Sequence, residues 1–298
     1  MVGFSDNGRG QVNGCANNNA NSDASHEPQT PKGLSKESFI DVSAGLFHSA
    51  GITKEGELVT WGCSRFNQCL CPSKDKAQHD STVGRWRPDD GSKLIQVACG
   101  RRHTVVLDEH GRIWTLGDNK YGQLGCAVEK TSNNTEPQLV DGPLGQVGSG
   151  CFAICCGWSH ILALTRDEND VIALYGWGKN NMGQLGVKSS NGYSSTPQVL
   201  DPLLDVNKTA TDSNGAISIQ SACCGAESSH VLASDGNIYS TGWNEHGNLA
   251  IGCDDETSSE CCLSWVATTG AKVVAPPPST TERKIFAAGG AHIITCAK

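Results

Sequence analysis

The sequence Ile95-Gln96-Val97-Ala98-Cys99-Gly100-Arg101-Arg102-His103-Thr104-Val105-Val106-Leu107 is the best-preserved copy of a phrase that recurs along this chain. After a short turn it continues as Gly111-Arg112-Ile113-Trp114-Thr115-Leu116-Gly117-Asp118-Asn119-Lys120-Tyr121-Gly122-Gln123-Leu124-Gly125. Short apolar runs alternate in it with clusters of Gly, Asp and Asn, which is the pattern of strands joined by tight turns.

This phrase predicts one structural unit of four short strands. We predict strands at Val97–Cys99, Thr104–Leu107 and Arg112–Leu116, because these runs are rich in β-branched and aromatic residues. A fourth, less regular strand is expected near Glu136–Val140. Asp108–Gly111 has the composition of a hairpin turn, in which glycine supplies a backbone conformation with positive φ.

The copies are marked by a Gly-x-x-His phrase that recurs every 55 to 68 residues. That period is longer than the roughly 40–45 residues of a WD40 blade and the roughly 50 of a kelch blade. In the fourth copy the glycine and the histidine are two residues further apart. The five pairs are Gly45 with His48, Gly100 with His103, Gly157 with His160, Gly225 with His230, and Gly289 with His292.

The repeat predicts an all-β fold, a β-propeller of four-stranded blades. We count five repeats, of which four are whole. Phe4–Val12 is only a second half of a unit and Ile285–Ile294 only a first half, so we expect the two to share one blade and to close the ring. We therefore expect residues 1–298 to form a single domain, in which the Asn-, Ser- and Pro-rich residues 13–36 are a mobile loop.

Composition narrows the classes of function. The net charge of −8 disfavours a broad nucleic-acid surface, which needs a basic stripe. We expect no membrane segment, because no apolar run approaches the 18 or so residues of a span. The N-terminus lacks the pattern of a signal peptide, so we expect a cytoplasmic protein that is also present in the nucleus. There the 15 cysteines would be mostly reduced thiols.

The recurring histidines and cysteines are predicted to be structural. A histidine that occupies one position in every blade indicates a requirement of the blade, and we expect its imidazole to bond backbone in the turn. Cys99, Cys156 and Cys224 precede the repeat glycine where alanine stands in other copies, which indicates small packing residues. The segment Cys69–Cys71 with His79 lacks a fourth ligand, so we predict no metal and no cofactor.

No enzyme motif is found. The chain has no Gly-x-Ser-x-Gly elbow, no phosphate-binding loop ending in Gly-Lys-Ser/Thr, and no His-Glu-x-x-His. The glycine-rich phrases are turns of the repeat, because no pattern of a strand followed by a helix accompanies them. We therefore predict a protein without catalytic residues.

The phrase Gly-x-x-His-(Ser/Thr), Gly-x-(Ile/Leu)-(Tyr/Trp), Gly-x-Asn-x-x-Gly-Gln-Leu-Gly resembles the regulator of chromosome condensation family of β-propellers. The resemblance spans nearly the whole chain, with each element in register. Members of that family usually have seven blades, two more than the repeats counted in this sequence.

A finer resemblance lies in the last whole unit. Tyr239-Ser240-Thr241-Gly242-Trp243-Asn244-Glu245-His246-Gly247-Asn248 is similar to a segment of the secretion-regulating guanine nucleotide exchange factors and of the fungal killer-toxin-insensitivity propeller proteins. The resemblance implies binding of a small zinc protein that donates electrons in diphthamide synthesis. It also implies a role in Elongator-dependent modification of wobble uridine in tRNA.

We predict that the partner binds to exposed loop residues of the repeat. Aromatic residues beside arginines are chosen because they often anchor protein interfaces. Two of the predicted residues, Asn244 and Glu245, have an alternative role in simply building the turn. The full set is Trp243, Asn244, Glu245, His246, Arg101, Arg102 and Trp158.

Two other functions remain open at this point. The first is guanine nucleotide exchange on a small GTPase, the activity associated with the founding family, which needs a complementary face rather than catalytic side chains. The second is a generic scaffold or an adaptor in a ubiquitin pathway.

Overall fold

In the computed structural model, the regular structure is almost entirely antiparallel β-sheet. The chain divides into two compact units, residues 1–154 and 155–298. The boundary falls inside one strand, and a single domain remains a prediction. The structure describes residues 3–5, 25–29, 34, 36–70, 83–128, 135–203, 217–245, 247–251, 261–268, 285–288 and 293–296.

Four four-stranded sheets account for most of the strands and correspond to the four whole repeats. In each sheet the strands lie side by side in chain order, all antiparallel, which confirms the predicted blades. We call them blades 1 to 4. Their strands are β3 to β6 (Phe39–Ala44, His48–Thr53, Leu58–Gly62, Gly84–Trp86), β7 to β10 (Leu94–Cys99, His103–Asp108, Ile113–Gly117, Gln138–Leu139), β11 to β14 (Cys151–Cys156, His160–Arg166, Ile172–Lys179, Tyr193–Leu200) and β15 to β18 (Ile219–Cys224, Ser228–Ala233, Ile238–Trp243, Cys261–Ala267).

Two small sheets lie near the ends of the chain. At the N-terminus β1 (Gly3–Ser5) pairs with β2 (Ser25–Gln29), and at the C-terminus β19 (Ile285–Ala288) pairs with β20 (Ile293–Cys296). Ring closure through a shared blade therefore remains a prediction. The strand β2 lies within residues 13–36, for which we expected a mobile loop, and most of that segment lies outside the described residues.

The core of the first unit lies between blades 1 and 2. Ile52 and Leu58 of blade 1 pack with Leu94, Val106 and Leu116 of blade 2, and all five are at most 2% exposed. Burial of each such side chain contributes about 1.5–3 kcal/mol. Face-to-face packing of the sheets thus explains why strands of a blade read as nearly continuous apolar runs rather than as alternating ones.

Polar side chains of the innermost strands connect neighbouring blades. The Asp41 carboxylate accepts a hydrogen bond from the Val97 amide (2.8 Å), and the Ser43 hydroxyl accepts one from the Cys99 amide (2.9 Å). The side chain of Gln96 bonds both the amide and the carbonyl of Ile154, at 2.9 and 3.1 Å. Backbone groups at the joint of two sheets have no ladder partner there, so these side chains satisfy them.

The repeat glycine and histidine form one packed unit in the turn between the first two strands of a blade. In blade 2 the Gly100 amide donates to the His103 carbonyl (2.9 Å), and the imidazole lies directly over the glycine Cα. A Cβ on Gly100 would overlap that ring. Glycine is required here because the ring occupies the space of a side chain, which the sequence pattern alone does not reveal.

Replacing Gly100 by alanine is expected to lower the free energy of unfolding by about 2 kcal/mol, because the new methyl group displaces the imidazole. Urea unfolding of the purified chain measures the loss. The double variant Gly100→Ala with His103→Ser should lose less than the sum of the two single variants, since removal of the ring frees the space. Strict additivity would contradict this account.

The fourth blade departs from the predicted repeat. Its Gly225 amide donates to the Ser228 carbonyl (2.9 Å), and Ser228 pairs with Gly242, as His160 pairs with Gly178 in blade 3. Ser228 therefore takes the histidine position, and the assignment of His230 to that position is wrong. The Gly-to-His spacing is longer in this copy because serine replaces histidine at the expected position. No residues are inserted. Gly289 and His292 lie outside the described residues.

Candidate functional site

Two loops of each blade lie at the same end of its sheet. One joins the first and second strands and carries the Gly-x-x-His phrase, and the other follows the third strand. In blade 2 the Asp118 amide donates to the Arg102 carbonyl (2.9 Å), and in blade 4 the Trp243 amide donates to the Glu227 carbonyl (2.9 Å). We call this the loop end of a blade. All predicted partner-binding residues within the described residues lie at loop ends.

An asparagine fixes the loop after the third strand. The amides of Leu124, Leu185 and Leu249 donate to the side-chain oxygens of Asn119, Asn180 and Asn244, at 2.8, 2.9 and 3.1 Å. Asn244 therefore builds its turn, as the alternative role proposed for it requires. Glu245 beside it is exposed, and His246 lies outside the described residues.

The two residues that follow this asparagine position differ in every blade, and in blade 1 the position itself holds Ser64, whose hydroxyl donates to the Cys69 carbonyl (2.7 Å). The pairs are Arg65-Phe66 in blade 1, Lys120-Tyr121 in blade 2, Asn181-Met182 in blade 3 and Glu245-His246 in blade 4. Variable tips on a rigid scaffold are typical of loops that carry function.

In the first unit these tips form a basic and aromatic surface. The Arg102 guanidinium carbon lies 4.3 Å from the centre of the Phe66 ring, and that of Arg65 lies 5.7 Å from the same centre. The Lys120 ammonium lies 5.3 Å from the Tyr121 ring centre. We call the set the basic–aromatic patch, and it consists of Arg65, Phe66, Arg101, Arg102, Lys120 and Tyr121.

The charge of the patch contrasts with that of the whole chain. Residues 45–47, 64–70, 100–102 and 118–125 contain four cationic side chains and a single anionic one, Asp118, although the chain has a net charge of −8. Leu46 in the same set of loops is 40% exposed. Sequence reasoning identified Arg101 and Arg102 and missed Phe66, whose signal is its place at a variable loop tip.

The second unit presents a different loop end. Trp158 is 42% exposed, and its backbone amide donates to the Ala226 carbonyl of the next blade (2.8 Å). The carboxylate of Glu227 accepts hydrogen bonds from the Lys179 ammonium (2.7 Å) and from the Gln184 side chain. Glu227 is thus held in place by two side chains, which the repeat pattern did not indicate. Trp243, at the end of β17, is half-buried.

The repeat histidines of blades 1 and 3 bond to the next blade rather than within their own turn. The His48 Nε2 lies 2.9 Å from the Thr104 hydroxyl, and the His160 Nε2 lies 3.2 Å from the Ser228 carbonyl oxygen. Burial lowers the pKa of each of these two imidazoles from 6.5 to about 4, although backbone hydrogen bonds oppose the shift. A neutral ring at physiological pH suits a structural contact between blades.

The described residues hold neither a cluster of metal ligands nor a helix that could span a membrane. No three His, Cys, Asp or Glu side chains in this part of the chain lie close enough together to hold a metal ion. It also contains no helix whose length and hydropathy would suit a membrane span.

Curated relatives share the repeat over most of this chain. The ultraviolet-B receptor UVR8 of Arabidopsis thaliana is 32% identical over 213 residues, which are 71% of this chain and 42% of the receptor. The serine/threonine-protein kinase Nek9 of Xenopus laevis is 30% identical over 219 residues, 70% of this chain and 20% of the kinase. The probable E3 ubiquitin-protein ligase HERC4 of Homo sapiens is 29% identical over 232 residues, 78% of this chain and 20% of the ligase. The chain thus spans less than half the length of each.

Solved structures show the same fold. Human WBSCR16 matches with a TM-score of 0.73 and 20% identity, over 98% of this chain and 66% of the solved one. Yeast RCC1 (Prp20), solved bound to Kap60, matches with a TM-score of 0.70 and 21% identity, over 98% of this chain and 62% of the solved one. The model of the RCC1-like domain family matches residues 1–295. The four-stranded blades with their repeated Gly–His turns are therefore those of an RCC1-like β-propeller, and the chain belongs to the RCC1-like domain family.

Proposed function

We propose that this chain is a protein-binding propeller without enzymatic activity and that its basic–aromatic patch contacts an acidic surface of the partner. The observation that carries the proposal is the stacking of Arg102 on Phe66 (4.3 Å), which joins the loop ends of blades 1 and 2. A stacked guanidinium loses little conformational entropy on binding and forms bidentate bonds with carboxylates. Such arginine–aromatic pairs are common hot spots of protein interfaces.

Replacing Arg102 by glutamate is expected to reduce partner binding at least tenfold, because it reverses the charge at the centre of the patch. The measurement is quantitative affinity purification from cells with the wild-type chain and the variant as baits. The matched control is Lys54→Glu, which makes the same change of charge. Lys54 is exposed in the hairpin between the second and third strands of blade 1, at the end of the sheet opposite the loop end. A partner that is recovered equally with all three baits would contradict the assignment of the patch.

The finer proposal names the partner. The similarity of Tyr239–Asn248 to the exchange-factor and killer-toxin-insensitivity propellers supports a small zinc electron-carrier protein, and with it roles in diphthamide synthesis and in Elongator-dependent modification of tRNA. Calorimetric titration with that purified zinc protein should show binding, and a deletion strain should contain less diphthamide. This partner is refuted if no heat of binding is measured and the diphthamide content is unchanged. The role of the basic–aromatic patch would still be decided by the Arg102→Glu experiment.

The second candidate is guanine nucleotide exchange on a small GTPase. It is supported by the fold shared with Prp20, whose solved structure was described together with its binding to Gsp1p and histones. An exchange factor needs only a surface that stabilises the nucleotide-free GTPase, and the basic–aromatic patch of the first unit is a candidate for it. Release of a fluorescent guanine nucleotide from candidate GTPases, with and without the chain, tests it, and equal rates across the panel would rule this activity out.

A further inference from the structure

Four cysteines lie at the ends of the innermost strands of blades 3 and 4. Cys155 and Cys156 end β11, and Cys223 and Cys224 end β15. The sulfur atoms of Cys155 and Cys224 lie 3.3 Å apart, although the two residues are 69 positions apart in sequence. Both thiols are free in the structure. The two thiols thus form a direct contact between blades 3 and 4.

The position of this pair in the repeat shows what it replaces. Counted back from the repeat glycine, Cys155 is the equivalent of Ser43 and Cys224 is the equivalent of Cys99. In the first unit Ser43 accepts a hydrogen bond from the Cys99 amide (2.9 Å), which connects blades 1 and 2. The second unit places a thiol pair at this junction, where the first unit has a hydroxyl-to-amide hydrogen bond.

We propose that Cys155 and Cys224 are a site of oxidative modification, at which a hydroperoxide converts the two thiols into a reversible disulfide that links blades 3 and 4. A disulfide needs the sulfurs at about 2.05 Å, so the two side chains approach each other by little more than about 1 Å. The 3.3 Å contact makes this a local movement of side chains within one unit.

The chemistry balances with the hydroperoxide as the only oxidant. The Cys155 thiolate attacks the peroxide oxygen and becomes a sulfenic acid, and the peroxide leaves as an alcohol or, from hydrogen peroxide, as water. The Cys224 sulfur then attacks the sulfenic sulfur, the S–S bond forms, and water leaves with the thiol proton. Two thiols are oxidised by two electrons, and a dithiol reductant returns both.

Burial assigns the two roles. Cys155 is half-buried and can meet the peroxide, whereas Cys224 is only 8% exposed. Burial and the neighbouring thiols raise the pKa of Cys224 well above its ordinary value, so this thiol reacts poorly with free peroxide. Cys155 is therefore the peroxide-reactive thiol and Cys224 the resolving one.

The experiment oxidises the reduced full chain with stoichiometric hydrogen peroxide under native conditions, alkylates the remaining thiols and maps linked peptides by mass spectrometry. We expect a Cys155–Cys224 link that dithiothreitol removes. Because a cross-link over 69 positions restricts the unfolded chain, the oxidised form should melt about 5 °C or more above the reduced form.

Serine variants supply matched controls. Cys155→Ser and Cys224→Ser should abolish both the link and the rise in melting temperature. Cys156→Ser and Cys223→Ser should keep both, because successive side chains of a strand point to opposite faces. The proposal is overturned if the link involves Cys156 or Cys223. It is also overturned if Cys155 and Cys224 are both still fully available for alkylation after peroxide treatment of a chain that circular dichroism shows to be folded.

Discussion

Lowering the pH from 7 to 4 is expected to destabilise the folded chain by about 3 kcal/mol for each of His48 and His160. Burial lowers the pKa of both rings from 6.5 to about 4, so the unfolded chain binds more protons than the folded one throughout that window. Stability therefore falls as the pH falls from 6.5 towards 4. His230 acts in the same direction, since burial lowers its pKa to about 3.

The surroundings of these rings explain the direction. His160 is fully buried, and the charge of Glu227 together with the hydrogen bond to the Ser228 carbonyl recovers only part of the cost of charging it. The nearby Lys179 ammonium acts against the imidazolium. His230 bonds two serine hydroxyls, Ser240 at 2.8 Å and Ser228 at 2.9 Å, which serve a neutral ring equally well.

Urea unfolding at a series of pH values measures this effect. Each buried histidine contributes a slope of about 1.4 kcal/mol per pH unit between pH 4 and 6.5. The variant His160→Gln should be less stable at pH 7 and should lose one such increment of slope. The control His110→Gln removes an exposed histidine and should keep the wild-type slope. An unchanged slope in His160→Gln would show that its ring is not the source.

Replacing Asp108 by alanine is expected to lower the free energy of unfolding by about 3–5 kcal/mol. The carboxylate is fully buried and accepts four hydrogen bonds. They come from the Arg112 guanidinium (2.7 Å), the Trp114 indole (3.0 Å), and the amides of His110 (3.0 Å) and Arg112 (2.9 Å). Removal of the carboxylate leaves these four donors without their acceptor. It also leaves the Arg112 cation, which is 8% exposed, with less compensating negative charge.

A denaturant titration compares this variant with Asp170→Asn. The control breaks the Arg166–Asp170 ion pair (3.2 Å), whose side chains are 48% and 80% exposed, and it should cost less than about 0.5 kcal/mol. Equal losses in the two variants would mean that the buried network around Asp108 contributes no more than a surface pair does.

Sequence reasoning located the loop ends correctly but not the grouping of their residues. Arg101 and Arg102 were predicted from their place after the repeat glycine, and both lie in the basic–aromatic patch. Phe66 was not predicted, because its loop belongs to another blade and its stacking with Arg102 depends on how two blades pack. The side chain of Asn244, predicted as a contact residue, accepts the Leu249 amide within its own turn.

The fourth blade shows where a one-dimensional pattern fails. His230 is the histidine nearest to the expected spacing, so the pattern assigned it to the turn. The pairing of Ser228 with Gly242 shows that Ser228 occupies the histidine position. His230 therefore lies two residues beyond that position on the same strand. In a strand a shift of two residues preserves the face, which is why His230 remains buried like the other repeat histidines.

The sequence by itself determined the four-stranded blades, their number of whole copies and the turns that join their strands, because turn chemistry and β-propensity act between residues close in the chain. Only the tertiary structure decided that the repeat glycine makes room for an imidazole, that His48 bonds the next blade, and that Cys155 touches Cys224. The last two contacts join residues 56 and 69 positions apart in different blades, and their geometry is set by the packing of one sheet on the next.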